Sequence, residues 1–199
     1  VELMLKAAEN RRTAGWYERF ADYYDCLYYM AKMQEFYQDN AAGFHIVEPK
    51  AIWKLYTETA YEMDSFYRHF HYAFGNSLKN SNVLLEDKLK HSAEYVEALY
   101  QNWYLKELTG CWTNAISENL SSLGYVSEIG KQHDFYPRYV RPLAGKNSRA
   151  FVIISDALRY EVAAELCDTI IRTTKGTAKL DAVQSIFPSI TKFGMANLL

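Results

Sequence analysis

The sequence lacks most features that mark membrane-embedded, secreted or disulfide-stabilised proteins. No apolar run approaches the roughly 20 residues that a membrane-spanning helix needs. The three cysteines are far apart and odd in number, which argues against a disulfide framework or a Cys-x-x-Cys metal site and suits a cytoplasmic protein. The formal net charge is only -2, so composition gives no reason to expect binding to an anionic membrane or to nucleic acid, although a local basic patch would allow the latter.

Two familiar nucleotide-binding motifs are missing as well. Gly145-Lys-Asn-Ser148 resembles part of a phosphate loop, but no glycine lies five residues earlier, and Lys146 is followed by Asn147. This spacing rules out a Walker site. No Gly-x-Gly-x-x-Gly motif follows the apolar run at residues 151–154 either, which removes the usual dinucleotide fingerprint.

The histidines do not form a recognisable metal motif. His69 and His71 are two residues apart, so on a helix they point about 200° apart and cannot face one ion. The other histidines have no acidic partner at the Glu-x-x-His spacing that di-metal helical bundles use. We expect no metal site in residues 1–145.

The first three quarters of the chain carry apolar and aromatic residues at every third or fourth position, which predicts a helical domain over residues 1–128. Antiparallel packing of its helices would form a bundle or an array of hairpins. The aromatic residues, 16% of the chain, are expected to lie mostly in the core, with a partner-binding or base-stacking surface as the alternative. Long helices are predicted from Trp16 to Gln38, from Pro49 to Phe74, and from near Asn82 to Leu120 with a kink around Gly110.

The last quarter has a different pattern, which predicts the first β-α-β-α elements of an α/β domain over residues 149–199, after a connecting segment at residues 129–148. Phe151 to Ser155 is typical of a buried strand because apolar and β-branched residues follow one another. Further along, the pattern predicts an amphipathic helix from Leu158 to Thr174, a second strand from Lys179 to Phe187, and a helix that begins at Thr191.

Asp156 and Thr191 each follow one of the predicted strands. The carboxyl ends of neighbouring parallel strands meet at one sheet edge, where α/β folds bind ligands, so we expect the two side chains to converge. A threonine hydroxyl needs a metal or a base to become a nucleophile, and the carboxylate could hold that metal. The backbone N–H groups of Lys192 and Phe193, at a helix start, could hold a phosphate oxygen. The structural alternative for Asp156 is that it only caps the following helix.

Two separated motifs in this last quarter resemble a known protein family. The segments are Ile153-Ile-Ser-Asp156-Ala-Leu-Arg-Tyr-Glu161 and Phe187-Pro-Ser-Ile-Thr191-Lys-Phe-Gly-Met-Ala-Asn-Leu-Leu199. Together they resemble the opening of a PglZ domain, within the alkaline phosphatase superfamily, and more closely the PglZ proteins of bacterial BREX phage-defence systems. In those proteins the phosphatase-like domain follows a long helical region. The resemblance covers about residues 130–199.

The resemblance implies a phosphoesterase that uses two divalent metals, usually zinc, and a covalent serine or threonine nucleophile. By position, Asp156 matches a metal ligand and Thr191 the nucleophile, with Ser189 as a near alternative to Thr191. Arg159 is expected either to approach the substrate or to pair with a neighbouring glutamate, and the structural role is favoured. The implied partners are other BREX proteins, such as the methyltransferase component.

In the family the remaining metal ligands come after the nucleophile, whereas this sequence ends eight residues beyond Thr191. We therefore expect a fragment of a longer enzyme, inactive and without metal by itself, which covers exposed sheet edges by forming homo-oligomers or by packing on its own helices. A hypothesis from a different class is a non-catalytic helical interaction module that scaffolds a defence complex. A nucleotide-binding domain without catalysis is a third and weaker hypothesis, since no phosphate loop is present.

Overall fold

The computed structural model describes residues 1–80, 83–144 and 149–198, and most of these residues are helical, so the prediction of a mainly helical protein is confirmed. The α-helices are α1 (Glu2–Arg11), α2 (Ala21–Asp39), α3 (Pro49–Leu55), α4 (Tyr61–Ser77), α5 (Val83–Glu97), α6 (Lys106–Leu123), α7 (Arg141–Ala144), α8 (Tyr160–Thr173) and α9 (Thr191–Ala196). Short 3-10 turns lie at Tyr17–Phe20, Leu78–Asn80 and Gln132–Asp134, and wider π-helical segments at Tyr56–Ala60, Ala98–Leu105 and Tyr136–Val140. Within these described ranges, no helix is both long and apolar enough to cross a membrane.

The predicted helices correspond to observed helices in order and approximate extent. Pro49 stands in the first turn of α3, where its missing N–H costs no hydrogen bond. The predicted start of the third long helix, Asn82, lies outside the described residues, as does the loop at residues 145–148. Helix α6 continues through Gly110, where the sequence predicted a kink, and the departure from α-helical geometry lies earlier, at Ala98–Leu105.

Contacts between residues divide the chain into two compact units, each built from two segments. The first, here called the helical unit, comprises Val1–Ile46 and Glu58–Trp112, and the second, the C-terminal unit, comprises Val47–Thr57 and Thr113–Leu199. These two units do not test the domain boundaries at residues 128 and 148, which stay a prediction from the sequence.

Helices α2 and α4 form the centre of the helical unit. The ring of Tyr29 on α2 stacks on His69 of α4, with centroids 4.9 Å apart. The Tyr104 hydroxyl donates a 2.8 Å hydrogen bond to the carbonyl of Ala60, so this buried phenol keeps a polar partner. Apolar and aromatic side chains at helical spacing form the core of this unit, as expected. Seven of its residues have 1% exposure or less: Cys26, Met33, Ala60, Met63, Phe70, Val96 and Tyr104.

Neither of the two predicted strands forms among the described residues of the C-terminal unit. Residues 151–155 make no backbone hydrogen bond there, and the side chains of their apolar run are between 47% and 91% exposed. In the segment 179–187 only Gln184 pairs, through an isolated parallel bridge with Lys131. A strand requires a neighbouring strand to pair with its backbone N–H and C=O groups. No described residue provides such a neighbour for residues 151–154.

Gln184 instead forms hydrogen bonds to the segment 126–132, through both its backbone and its side chain. Its backbone N–H donates to the Gly130 carbonyl at 2.7 Å, and its own carbonyl accepts from the Gln132 N–H at 2.9 Å. The side-chain amide oxygen accepts from the Val126 N–H at 2.8 Å, while the amide nitrogen donates to the carbonyls of Val126 and Ile129, both at 2.7 Å. Five hydrogen bonds from one residue therefore fix this segment, and Val126 and Ile129 are both buried.

Candidate functional site

The structure brings Asp156 and Thr191 together, although no sheet connects them. The Thr191 hydroxyl lies 3.4 Å from the Oδ2 atom of Asp156, with the hydroxyl as the donor. This is longer than the usual 2.5–3.0 Å of an O–H···O hydrogen bond, so the contact is weak and leaves both oxygens available to other groups. Both residues are exposed. Ser189, the alternative nucleophile, makes no hydrogen bond to Asp156 in the described part of the chain.

A strained turn sets the direction of the Asp156 carboxylate. Ala157, the next residue, has a φ of +57°, in the left-handed region that residues with a Cβ rarely adopt. Its backbone N–H donates a 3.0 Å hydrogen bond to Oδ1 of Asp156, which leaves Oδ2 for Thr191. The alternative that Asp156 only caps the following helix is wrong, because the residue that precedes α8 is Arg159 and no side chain caps this helix.

Thr191 is the first residue of α9, as the sequence predicts. The Phe193 N–H already donates to the Ile190 carbonyl at 2.9 Å, so in this structure it is engaged within the turn. Among the described residues, the Lys192 N–H has no such backbone partner. The side chain of Gln132 donates a 3.2 Å hydrogen bond to the Gly194 carbonyl and thereby ties α9 to the segment that Gln184 holds.

Arg159 pairs with a glutamate at the start of α8. Its Nε lies 2.9 Å from Oε1 of Glu161, whose side chain is fully buried while that of Arg159 is 53% exposed. A buried carboxylate requires such a partner because desolvation makes an isolated charge very costly. The geometry therefore gives Arg159 a structural contact, the role that the sequence favoured, and its approach to a substrate stays an untested expectation.

The sequence reasoning missed the two glutamines that support this site, Gln132 and Gln184. Amide side chains carry no periodic signal, and each of these contacts joins positions more than 50 residues apart in the sequence. Only the proximity of the two segments in the folded chain reveals them.

Asp156 and Thr191 could supply some of the ligands of a metal site, but not all of them. Carboxylate and hydroxyl oxygens are suitable donors for zinc or another divalent ion, and Asp156 and Thr191 are exposed and close enough to approach the same ion. A zinc site usually has at least three protein ligands. Within residues 1–80, 83–144 and 149–198, no cluster of three or more histidine, cysteine, aspartate or glutamate side chains could hold a metal.

Comparison with known proteins first identifies the class of protein to which the C-terminal segment is similar. Residues 135–199, which include Asp156 and Thr191, match the family model described as "BREX system PglZ alkaline phosphatase-like domain". This match assigns the segment to the alkaline phosphatase-like proteins.

Two curated proteins extend the similarity to the helical part. The chain is 35% identical over 193 residues to the "Alkaline phosphatase-like protein PglZ" of Bacillus cereus (strain H3081.97), which covers 95% of this chain and 21% of that protein. It is 34% identical over 205 residues to the "Alkaline phosphatase-like protein BrxZ" of Escherichia coli O9:H4 (strain HS), which covers 100% of this chain and 23% of that protein. No solved structure matches the chain significantly. Residues 135–199 therefore belong to the PglZ family. The chain is similar to both relatives along nearly its whole length, and it spans less than a quarter of the length of either.

Proposed function

We propose that this chain is part of a metal-dependent phosphoesterase of the PglZ type that acts in a BREX phage-defence system. Asp156 binds one of two divalent metals, zinc by preference, and Thr191 is the nucleophile that attacks phosphorus. The observation that carries the proposal is the 3.4 Å approach of the Thr191 hydroxyl to Asp156 within the segment that matches the phosphatase-like family. Two oxygens of the right kind converge there although they are 35 residues apart in sequence.

In the proposed reaction, the chain's own residues position the nucleophile and the phosphoryl oxygens. Asp156 orients the Thr191 hydroxyl and accepts its hydrogen bond, and the Lys192 backbone N–H is directed to a phosphoryl oxygen. A bound divalent metal would lower the pKa of the hydroxyl and neutralise charge on the phosphate. The Thr191 hydroxyl gives up its proton to solvent, and its Oγ1 forms a bond to phosphorus as the bond from phosphorus to the ester oxygen breaks and that oxygen takes up a proton. Water then attacks phosphorus, which releases the phosphate and restores the hydroxyl.

The proposal also includes the α/β architecture of this region. Residues 149–199 would supply the first β-α-β-α elements of the phosphatase-like domain, and additional strands and helices would cover their apolar side chains. The exposure of the consecutive apolar residues from Phe151 to Ile154, between 47% and 91%, supports this proposal, because soluble proteins rarely expose contiguous apolar surface unless another element binds it. Because the described residues contain no cluster of three metal-ligating side chains, we expect the 199-residue chain to be inactive by itself.

The decisive experiment compares hydrolysis of a model phosphomonoester and phosphodiester by the full-length protein that contains this sequence, with zinc or manganese. We expect Thr191→Ala to lower kcat at least about a thousandfold, since removing a nucleophile eliminates the covalent route. Asp156→Ala should cause a loss of similar size that added metal only partly restores. Ser189→Ala is the matched control and should keep most of the activity. Full activity in both the Thr191 and the Asp156 variants would overturn the proposal.

A second candidate function is a non-catalytic interaction module that scaffolds a defence complex. It is favoured by exposed aromatic side chains on the helical unit, where Trp16 is 49%, Tyr95 44% and Tyr72 71% exposed, because aromatic residues often anchor protein interfaces. Partners would be other BREX proteins, such as the methyltransferase component, or a second copy of the chain. Phage resistance separates the two functions: Thr191→Ala abolishes resistance if the enzyme is required and preserves it if only the scaffold is.

A further inference from the structure

The helix that carries Thr191 has little packing of its own to hold it in place. Helix α9 has only six residues, and isolated helices shorter than about 12 residues are marginal in water. Among the described residues none of α9 is buried, and the side chains of Phe193 and Met195 are 46% and 43% exposed. A few specific contacts must therefore set the position of this helix.

Two hydrogen bonds join α9 to other segments of the C-terminal unit within the described ranges. One is the 3.4 Å contact between Thr191 and Asp156, which is too long to hold the helix firmly. The other is the 3.2 Å hydrogen bond that the side-chain amide of Gln132 donates to the Gly194 carbonyl. Gly194 lies almost one helical turn after Thr191, so this hydrogen bond holds the helix close to the proposed nucleophile.

Gln132 is itself held in place by its backbone. Its N–H donates a 2.9 Å hydrogen bond to the carbonyl of Gln184, whose own N–H donates to the Gly130 carbonyl at 2.7 Å. Gln132 also begins a 3-10 turn, in which the Asp134 N–H donates to the Lys131 carbonyl at 3.1 Å. The segment from which the amide reaches α9 is therefore fixed on both sides of Gln132.

The other amide atom of Gln132 shows that stability alone does not favour a glutamine here. Its Oε1 is buried and accepts no hydrogen bond from any described residue. A buried acceptor without a donor destabilises a fold, and a leucine would fill similar space without that cost. The Gly194 carbonyl would still accept the 3.2 Å hydrogen bond from the Asn197 N–H. What leucine cannot supply is the donor that connects α9 to the segment 130–134.

We propose that Gln132 is a positioning residue for the phosphoesterase reaction, and that by holding α9 at Gly194 it keeps the Thr191 hydroxyl beside Asp156. This role rests on the proposed function, since it requires that Thr191 is the nucleophile. Gln132 acts through the position of the helix and not on the substrate. Because a displacement of about 1 Å at a reacting group can lower the rate by about a hundredfold, loss of this hydrogen bond should lower kcat and leave KM unchanged.

The first test measures phosphomonoester hydrolysis by the full-length protein with zinc. Gln132→Leu should lower kcat at least about tenfold, with KM within about twofold of the original and Tm within about 2 °C. Gln101→Leu is the matched control, because that glutamine is exposed on the helical unit, and it should leave kcat and KM unchanged. An unchanged kcat in the Gln132 variant, or a loss of kcat/KM that comes entirely from KM, would overturn the proposal.

A second variant tests the hydrogen bond itself. In Gln132→Glu, a protonated carboxyl group can donate to the Gly194 carbonyl, whereas the ionised group has no donor. The ordinary pKa of a glutamate is about 4.3 and burial raises it, so the protonated form increases as the pH falls from 8 to 5. The ratio of kcat in this variant to kcat in the original protein should rise at least about twofold over that range. The ratio for Gln101→Glu should stay constant, and a constant ratio for Gln132→Glu would contradict the role of the donor.

Hydrogen exchange tests the position of α9 without any assay of activity. In the full-length protein, Gln132→Leu should speed amide exchange in the peptide that covers residues 190–197 at least about threefold, while the peptide that covers α8 is unchanged. Faster exchange in α9 together with full activity of Thr191→Ala would overturn the proposed function and leave the hold on α9 standing. Unchanged exchange in α9 would overturn the positioning role and leave the proposed function standing.

Discussion

Replacing Tyr100 with phenylalanine should destabilise the helical unit by roughly 1.5–3 kcal/mol, the range for a hydrogen bond to a charged group. The Tyr100 hydroxyl donates a 2.5 Å hydrogen bond to Oδ1 of Asp64, and both residues are buried, with 4% and 3% exposure. Phenylalanine keeps the ring and its packing, so the substitution removes little more than this donor. The loss is large because the Asp64 carboxylate stays in the interior with one hydrogen bond fewer.

Tyr67→Phe provides a matched control. Its ring stacks on that of Tyr100, with centroids 3.8 Å apart and 10° between the planes. Its hydroxyl donates a 2.9 Å hydrogen bond to Glu97, whose side chain is 44% exposed, so water can replace the lost donor. We expect this variant to cost about 0.5–1 kcal/mol.

The assay is urea unfolding followed by far-UV circular dichroism, with thermal unfolding as a second measure. For a protein of this size, the Tyr100 variant should lower Tm by about 3–12 °C and the Tyr67 variant by no more than about 4 °C. If Tyr100→Phe proved no more destabilising than Tyr67→Phe, the inference that the buried carboxylate depends on this hydroxyl would be refuted.

Three further predictions concern local geometry. Ala157→Gly should raise the free energy of unfolding by about 0.5–1 kcal/mol, because glycine adopts the left-handed φ of +57° without strain. As a control, Ala163→Gly inside α8 should lower the free energy of unfolding by about 1 kcal/mol. A lower Tm for Ala157→Gly would contradict the inferred backbone strain. Gln184→Leu should lower the free energy of unfolding, measured in urea, by roughly 2–4 kcal/mol, since it removes three side-chain hydrogen bonds to the segment 126–129. As a control, Gln101→Leu at an exposed position should change the free energy of unfolding little. Equal effects of the two substitutions would refute the role of Gln184. Burial, with smaller effects from neighbouring aspartates, raises the pKa of Cys26 to about 12, so at pH 8 only about one Cys26 thiol in ten thousand is ionised. A thiol reagent should therefore label Cys111 and Cys167 before Cys26. Labelling of Cys26 first would contradict a buried environment for its thiol.

The helices could be predicted from the sequence because their signals are local. Apolar spacing and the position of Pro49 identify helices whose side chains pack within the described chain. Two helical stretches were missed: α1, which carries few buried side chains, and the turns from Tyr136 to Ala144, where two prolines suggested a connecting segment. Pro137 stands in the first turn of this stretch, where its missing N–H group is tolerated, whereas Pro142 lies within it.

The two strands predicted from the sequence do not form among the described residues, because a strand depends on a neighbour that its own residues do not specify. The run Phe151 to Ile154 has a strand's composition, but in this structure its apolar side chains face solvent. Convergence of Asp156 and Thr191 was nevertheless predicted. The turn at Ala157, the hydrogen bond from Gln132 to Gly194 and the start of α9 bring the two side chains together without a sheet.

If Thr191 attacks phosphorus, the full-length enzyme forms a covalent phosphothreonine intermediate that can be trapped. The full-length protein is mixed with a phosphomonoester and zinc, quenched in acid and digested, and the phosphorylated residue is located by tandem mass spectrometry. We expect a phosphate on Thr191 that is absent when Asp156 is replaced by alanine. A phosphate on Ser189, or rapid hydrolysis with no modification of Thr191, would contradict it.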